Sequence, residues 1–272
     1  MIQEEKNRES RIRRLAHNQG YSIEKSRAAI SGNNLGGYRV IRGQYGRAEA
    51  GDKYNMSLED VEKYLDYKKY HAPFASVAIR HGKHTLHAWE YYKKVYGNIP
   101  PRHRLKILLD EIYSYRAFDI EEFFEYLEDI LKNETQEQFD ARINTTRKRI
   151  GHLLNENMIT VFRGSTENSL SSDDALSWTY DKDVARWFAL RFVDVGFTKR
   201  PQILTAQVDV SDILDVLEDT NEKEVVVIPP NLCGSLFDEQ SEDISYDKEF
   251  MHEFQQKRAA YQKEIIDALI NE

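Results

Sequence analysis

The sequence predicts an α+β protein, and three observations carry that prediction. Apolar residues recur at helical spacing between about residues 67 and 155, the period changes to short strand-like runs from Met158, and turn-forming residues punctuate the segment before both. The expected organisation is a small basic accessory module over residues 1–66, a helical subdomain over 67–155 and a mixed α+β domain over 156–272.

In the first region a charged helix over residues 4–18 leads to Gly32-Asn33-Asn34-Leu35-Gly36-Gly37, then to the hairpin-like Tyr38-Arg39-Val40-Ile41-Arg42 and a turn-rich stretch up to Asn55. Ser57, followed three residues later by Asp60, caps a short helix over 58–67, since the two side chains satisfy N–H groups that a helix start leaves unpaired. In the second region Pro100-Pro101 opens a helix carrying Leu105, Leu108, Leu109 and Ile112. Asp119 with Glu122 caps another, whose Ile120, Phe123, Phe124, Leu127, Ile130 and Leu131 share one face, and Phe139, Ile143, Thr146, Ile150, Leu153 and Leu154 mark a third. These faces are expected to pack together, so their aromatics belong to a core rather than to a cofactor site.

In the third region strands are expected at 158–162, 176–179, 202–210 and 224–228, the last stopped by Pro229-Pro230. Asp181 caps a helix with Ala185, Phe188, Ala189 and Phe192 on one face. A final helix over 246–270 carries Phe250, Phe254, Tyr261, Ile265 and Leu269.

Composition narrows the function. The 272 residues carry 38 Lys and Arg against 46 Asp and Glu, a net charge of −8, and are long enough to bury a core, which excludes whole-chain disorder. One cysteine, Cys233, cannot form an intramolecular disulfide or a thiolate-rich metal cage. With no basic-then-apolar leader after Met1, a reducing, cytoplasmic location is expected. The longest apolar runs, such as Val225 to Ile228, are four residues against the roughly 20 of a membrane helix, so no membrane partner is expected. Residues 1–50 hold ten Lys/Arg against five Asp/Glu, and residues 209–254 hold two against fourteen. The basic start, with Arg8, Arg11, Arg13 and Arg14, is open to nucleic acid, to an acidic protein or simply to solvent, whereas the acidic C-terminal half would repel phosphates.

Metal and nucleotide motifs are wanting. His81, His84 and His87 recur every three residues after His71, but that spacing drifts around a helix and no carboxylate or thiolate completes a ligand set, so no metal is expected. Neither the dinucleotide glycine fingerprint, nor the phosphate loop, nor the serine-hydrolase elbow occurs.

What stands out is an ordered set of polar residues at the strand ends of the third region. Phe162-Arg163-Gly164 closes the first strand, Ser177-Trp178-Thr179 the second, directly before the helix with Ala185 and Phe188, and Glu222-Lys223-Glu224 enters the apolar strand ending at Pro229-Pro230. Taken singly, an arginine there is ordinarily a surface residue, a serine before a helix a cap, and an acidic pair a solvated turn. In this order and with these neighbours they resemble the arginine-serine-glutamate class of mono-ADP-ribosyltransferases. That class has an aromatic-Arg-Gly strand, a Ser-Thr-Ser strand and a Glu-x-Glu or Gln-x-Glu turn. The resemblance covers about residues 158–230, with 14 residues from Arg163 to Ser177 and 47 from Ser177 to Glu224. Trp178 and Thr179 depart from Ser-Thr-Ser, and the turn over 217–221 lacks the aromatic that many members present to their target.

The resemblance implies an ADP-ribosyltransferase-like split β-sandwich preceded by a helical subdomain, with NAD as co-substrate and a protein arginine as the preferred acceptor. Cleaving the nicotinamide-ribose bond builds an oxocarbenium-like cation, which the Glu224 carboxylate would stabilise while Ser177 orients it. Arg163 and Gly164 would hold the dinucleotide, Arg163 through charge-assisted bonds to phosphate, with Thr179 and Phe197 completing the NAD surface. Glu222 would orient or deprotonate the attacking guanidinium, from the same strand face as Glu224. The polar segment 164–175 reads either as a lid over NAD or as a surface loop, and Arg200, like Phe197, as a contact to phosphate or nicotinamide. The resemblance further implies a toxin-like bacterial or phage effector acting in the cytoplasm with an antitoxin or other partner. Two alternatives stay open: a NAD glycohydrolase, and a catalytically degenerate fold kept as a binding module.

Overall fold

A computed structural model describes residues 3–42, 48–81, 86–115, 118–217, 222–233 and 239–271. The chain is mixed α+β and separates into two compact units, residues 1–133 and 134–272, each holding one antiparallel sheet. The sequence breakers pointed instead to boundaries at 66 and 155.

The first unit begins with α1 (Gln3–Asn18), β1 (Tyr21–Lys25), β2 (Tyr38–Arg42), β3 (Ala48–Ala50) and α2 (Leu58–His81). Tyr38–Arg42 is the middle strand of a three-stranded sheet rather than a hairpin of its own, because β1 and β3 flank it. Ile12, Ala16, Ile23, Val40, Val61 and Leu65 form the core beneath it. Much of the basic start is neutralised locally: Arg8 and Arg11 both bind the Glu62 carboxylate, Arg13 binds Glu9, and Arg39 binds Glu24. Ser57 and Asp60 cap α2 reciprocally, as expected. The helix nevertheless runs past residue 67 and through Pro73, held by tertiary contacts that no local pattern encodes: Tyr67 donates to Asp110, His71 meets the buried Glu111, and Phe74 is fully buried.

The same unit continues with α3 (His87–Val95), α4 (Pro101–Ile107), a π-helical turn over 108–112 and α5 (Ile120–Lys132). Asp119 caps α5 by accepting from the N–H groups of Glu121 and Glu122, while the Glu122 carboxylate turns outward to accept from Trp89 Nε1 at 3.0 Å. His81 ends α2, His87 starts α3 and His84 lies outside the described residues, so the histidine spacing does not fall on one helix. Among the described residues no group of His, Cys, Asp and Glu could hold a metal, and no helix is long and apolar enough to cross a membrane.

The second unit comprises α6 (Gln136–Ile150), β4 (Met158–Ser165), β5 (Ser177–Thr179), α7 (Lys182–Leu190), β6 (Gln202–Asp209), β7 (Ile213–Leu217), β8 (Glu224–Val227), α8 (Pro230–Cys233), β9 (Gln240–Asp243) and α9 (Lys248–Asn271). Its six strands form one sheet in the order β7-β8-β5-β4-β6-β9. Helix α6, expected with the preceding helices, belongs here. The Arg142 guanidinium donates to the carbonyls of Ser211 and Ile213 at 2.8 Å, Arg149 donates to Asp215 and to the carbonyl of Val216, and Ile150 enters the sheet's core. Strand β9 reads Gln-Ser-Glu-Asp and is exposed throughout, so it has no apolar signature by which to be anticipated; a charged edge strand also discourages further pairing.

Candidate active site

Strand β5 lies between β4 and β8, and this places the three predicted residues on adjacent strands. Alternation sends Trp178 into the core beside Val225 and Val227, where its indole N–H donates to the carbonyl of Ala175. Ser177 and Thr179 therefore point to the opposite face, which they share with Glu224, the register partner of Thr179. The tryptophan in the middle of the motif occupies a core position and leaves the polar face intact.

Ser177 Oγ donates to Glu224 Oε1 at 2.5 Å, and Glu224 is only 6% exposed. Strands β4 and β5 pair at one register position, Phe162 with Thr179, so the ladder does not continue to the Ser177 carbonyl. The Arg163 guanidinium takes over there, its Nη1 donating to Ser177 O at 2.7 Å. Arg163, Ser177 and Glu224 thus form one connected chain, in which the arginine braces the strand that orients the carboxylate.

Gly164 follows Arg163 at the point where α7 crosses β4. A Cβ here would lie 2.2 Å from the carbonyl oxygen of Ala185 and 2.6 Å from the nitrogen of Ala189, so only glycine allows the helix so close. Ala185 and Ala189, four residues apart and both fully buried, present the small surface that the approach requires.

Asp181 caps α7 by accepting from the N–H groups of Asp183 and Val184, and its second oxygen binds Lys223 Nζ at 2.7 Å. Burial by itself would raise the Asp181 pKa; the Lys223 bond and charge and the two helix N–H groups outweigh it and hold the carboxyl below its ordinary value. A depressed carboxyl stabilises the fold fully above its unfolded pKa of about 3.9 and loses that contribution as pH falls through the folded value. Asp181→Ala is accordingly expected to cost about 1 kcal/mol at pH 7 in urea unfolding, a deficit that shrinks towards zero below about pH 4.

Glu222 departs from expectation. Strand β8 begins at Glu224 and Lys223 has φ 46°, so the two-residue alternation that would place both glutamates on one strand face does not apply. Glu222 is positioned instead by Thr179, whose Oγ1 donates to the Glu222 carbonyl at 2.8 Å, and by Arg258 of α9, whose Nη2 lies 3.2 Å from Glu222 Oε1. Residues 218–221 of the turn before it lie outside the described residues.

Phe197 is 76% exposed and stands outside the hydrogen-bonded chain of Arg163, Ser177 and Glu224. Its carbonyl accepts from Asn168, and the neighbouring Glu167 carboxylate accepts from the N–H groups of Lys199 and Arg200, at 2.8 and 3.1 Å. Bonding to its own backbone N–H, then to those of Arg200 and Lys199, holds Glu167 below the ordinary carboxylate range. The loop after β4 is thereby stitched to the segment carrying Phe197 and Arg200.

Sequence reasoning missed Arg258, Trp187, whose ring centre lies 4.2 Å from the Arg258 Cζ, and the Asp181–Lys223 pair. Arg258 is one cation in a charged helix, and its partner lies 36 residues away, so no spacing rule could have found it. A scan against family models and searches of curated proteins and of solved structures return no match to this chain.

Proposed function

We propose that the 134–272 unit, whose single six-stranded sheet is joined between β4 and β5 by one register pair where a split β-sandwich of the kind the sequence resemblance implies would divide, is a NAD-dependent mono-ADP-ribosyltransferase, which transfers ADP-ribose to a protein arginine and releases nicotinamide. The observation that carries this reading is the 2.5 Å hydrogen bond from Ser177 to the buried carboxylate of Glu224. A carboxylate fixed by a hydroxyl and shielded from water is suited to stabilising a developing ribosyl cation, since its charge is little screened and needs no reorganisation. Arg163 acts first as the brace of β5, and Glu222 as the group that orients the incoming guanidinium.

The test is nicotinamide release from adenine-labelled NAD by the purified full chain, with and without a cell lysate. Release that is accelerated by lysate and leaves label on protein is expected, and Arg163→Ala is expected to lower it at least about tenfold through the loosened strand. Release without protein-bound label would identify a NAD glycohydrolase. An absence of both release and NAD binding would leave the fold as a binding module.

A further inference from the structure

We propose that Arg258 is itself an acceptor, so that the protein ADP-ribosylates its own C-terminal helix at this residue; the inference rests on the transferase reading above. The geometry that points to it is local. The Arg258 guanidinium binds the Glu222 carboxylate, at 3.2 Å from Nη2 to Oε1, and its Cζ lies 4.2 Å from the centre of the Trp187 ring. Trp187 in turn stacks on Phe254, four residues before Arg258 on α9, with ring centroids 5.9 Å apart. Indole and carboxylate together hold the guanidinium in one orientation, and neither member of the ion pair is sealed off, with side-chain exposures of 23% and 29%.

Other arginines of this unit are engaged differently. Arg142 and Arg149 brace backbone carbonyls while pairing with Glu134 and Asp215, and Arg186 pairs with Asp247, so their carboxylate partners lie outside Glu222-Lys223-Glu224. Arg258 is paired with a carboxylate of Glu222-Lys223-Glu224. An arginine side chain keeps its proton at any ordinary pH, so it becomes a nucleophile only where a carboxylate is placed to accept that proton. Glu222 is placed to do so for Arg258.

In the transfer, the bond between the nicotinamide nitrogen and the ribose anomeric carbon of NAD breaks, and its electron pair leaves with nicotinamide, which departs neutral. A guanidinium nitrogen of Arg258 forms the new bond to that carbon, and its proton passes to Glu222 and then to water. On the transferase reading, Glu224 stabilises the ribosyl cation between the two events.

The experiment incubates the full-length protein with NAD and no added acceptor, follows nicotinamide release, and maps the modified peptide by mass spectrometry. ADP-ribose on Arg258 is expected, with a first-order rate independent of protein concentration and slowed severalfold by excess agmatine, a free guanidine that competes for Glu222. Arg258→Lys is expected to lower incorporation at this site at least tenfold. Nicotinamide release with agmatine modified but Arg258 untouched would overturn the inference and leave the transferase standing. Labelling that rises with protein concentration would also overturn it, by assigning the acceptor to a second molecule. No nicotinamide release under any condition would overturn both.

Discussion

Replacing Glu224 by glutamine is expected to lower nicotinamide release from NAD by about 10²- to 10³-fold, the range seen when a preorganised electrostatic partner of a developing charge is removed. Glutamine nearly matches glutamate in shape, and its amide oxygen can still accept from Ser177, so the change removes charge while keeping the hydrogen bond that positions it. The buried setting makes the charge matter: at 6% exposure, water cannot replace the lost field. Ser177→Ala should act more weakly, by about tenfold, because it frees the carboxylate to rotate without neutralising it. Single-turnover measurements of both variants, with urea unfolding as the control for folding, make the comparison. Release by Glu224→Gln within about threefold of wild type would remove Glu224 from the chemistry.

Gly164→Ala is expected to be the most damaging single-methyl change in the second unit, costing about 3 kcal/mol, at the upper end of what overpacking does. The added carbon would meet the carbonyl oxygen of Ala185 at 2.2 Å, the nitrogen of Ala189 at 2.6 Å and Phe188 Cβ at 2.9 Å. Two of these are helix backbone, which has no rotamer to yield, so α7 must lift away from β4. Lifting α7 would also pull on Asp181, and through Lys223 on the turn that carries Glu222. Activity should therefore fall together with the urea midpoint. Gly97→Ala is the control, since nothing lies within 4 Å of a Cβ there. Equal midpoints for the two variants would mean that α7 and β4 do not approach as closely as described.

Legibility in the sequence followed the range of the interaction. Helices announced by a cap and a one-sided apolar stripe were readable, because cap and stripe are set by neighbours three or four residues away: Ser57 with Asp60, Asp119 before α5, Asp181 before α7. The central strands β4, β6 and β8 were readable from their apolar runs, since burial demands them. The edge strand β9 and the short β1 and β3 were not. β9 and β3 consist of polar or small residues that only pairing with a neighbour makes strands, while β1 alternates buried Tyr21 and Ile23 with exposed Ser22 and Glu24 over too few residues to stand out from the turns around it. The length of α2 was misjudged for a related reason, as Tyr67, His71 and Phe74 prolong it through partners far along the chain.

By itself the sequence determined the α+β class, the capped helices, and the order and residue types of Phe162-Arg163-Gly164, Ser177-Trp178-Thr179 and Glu222-Lys223-Glu224. These depend on local hydrogen bonding and on apolar periodicity, which neighbouring residues encode. The tertiary structure alone decided that Arg163 braces the Ser177 carbonyl, that Ser177 reaches Glu224, that α6 joins the sheet, and that Arg258 lies against Glu222. Each of these joins residues between 14 and 71 positions apart, and such contacts exist only once strand order and register bring them within hydrogen-bond reach.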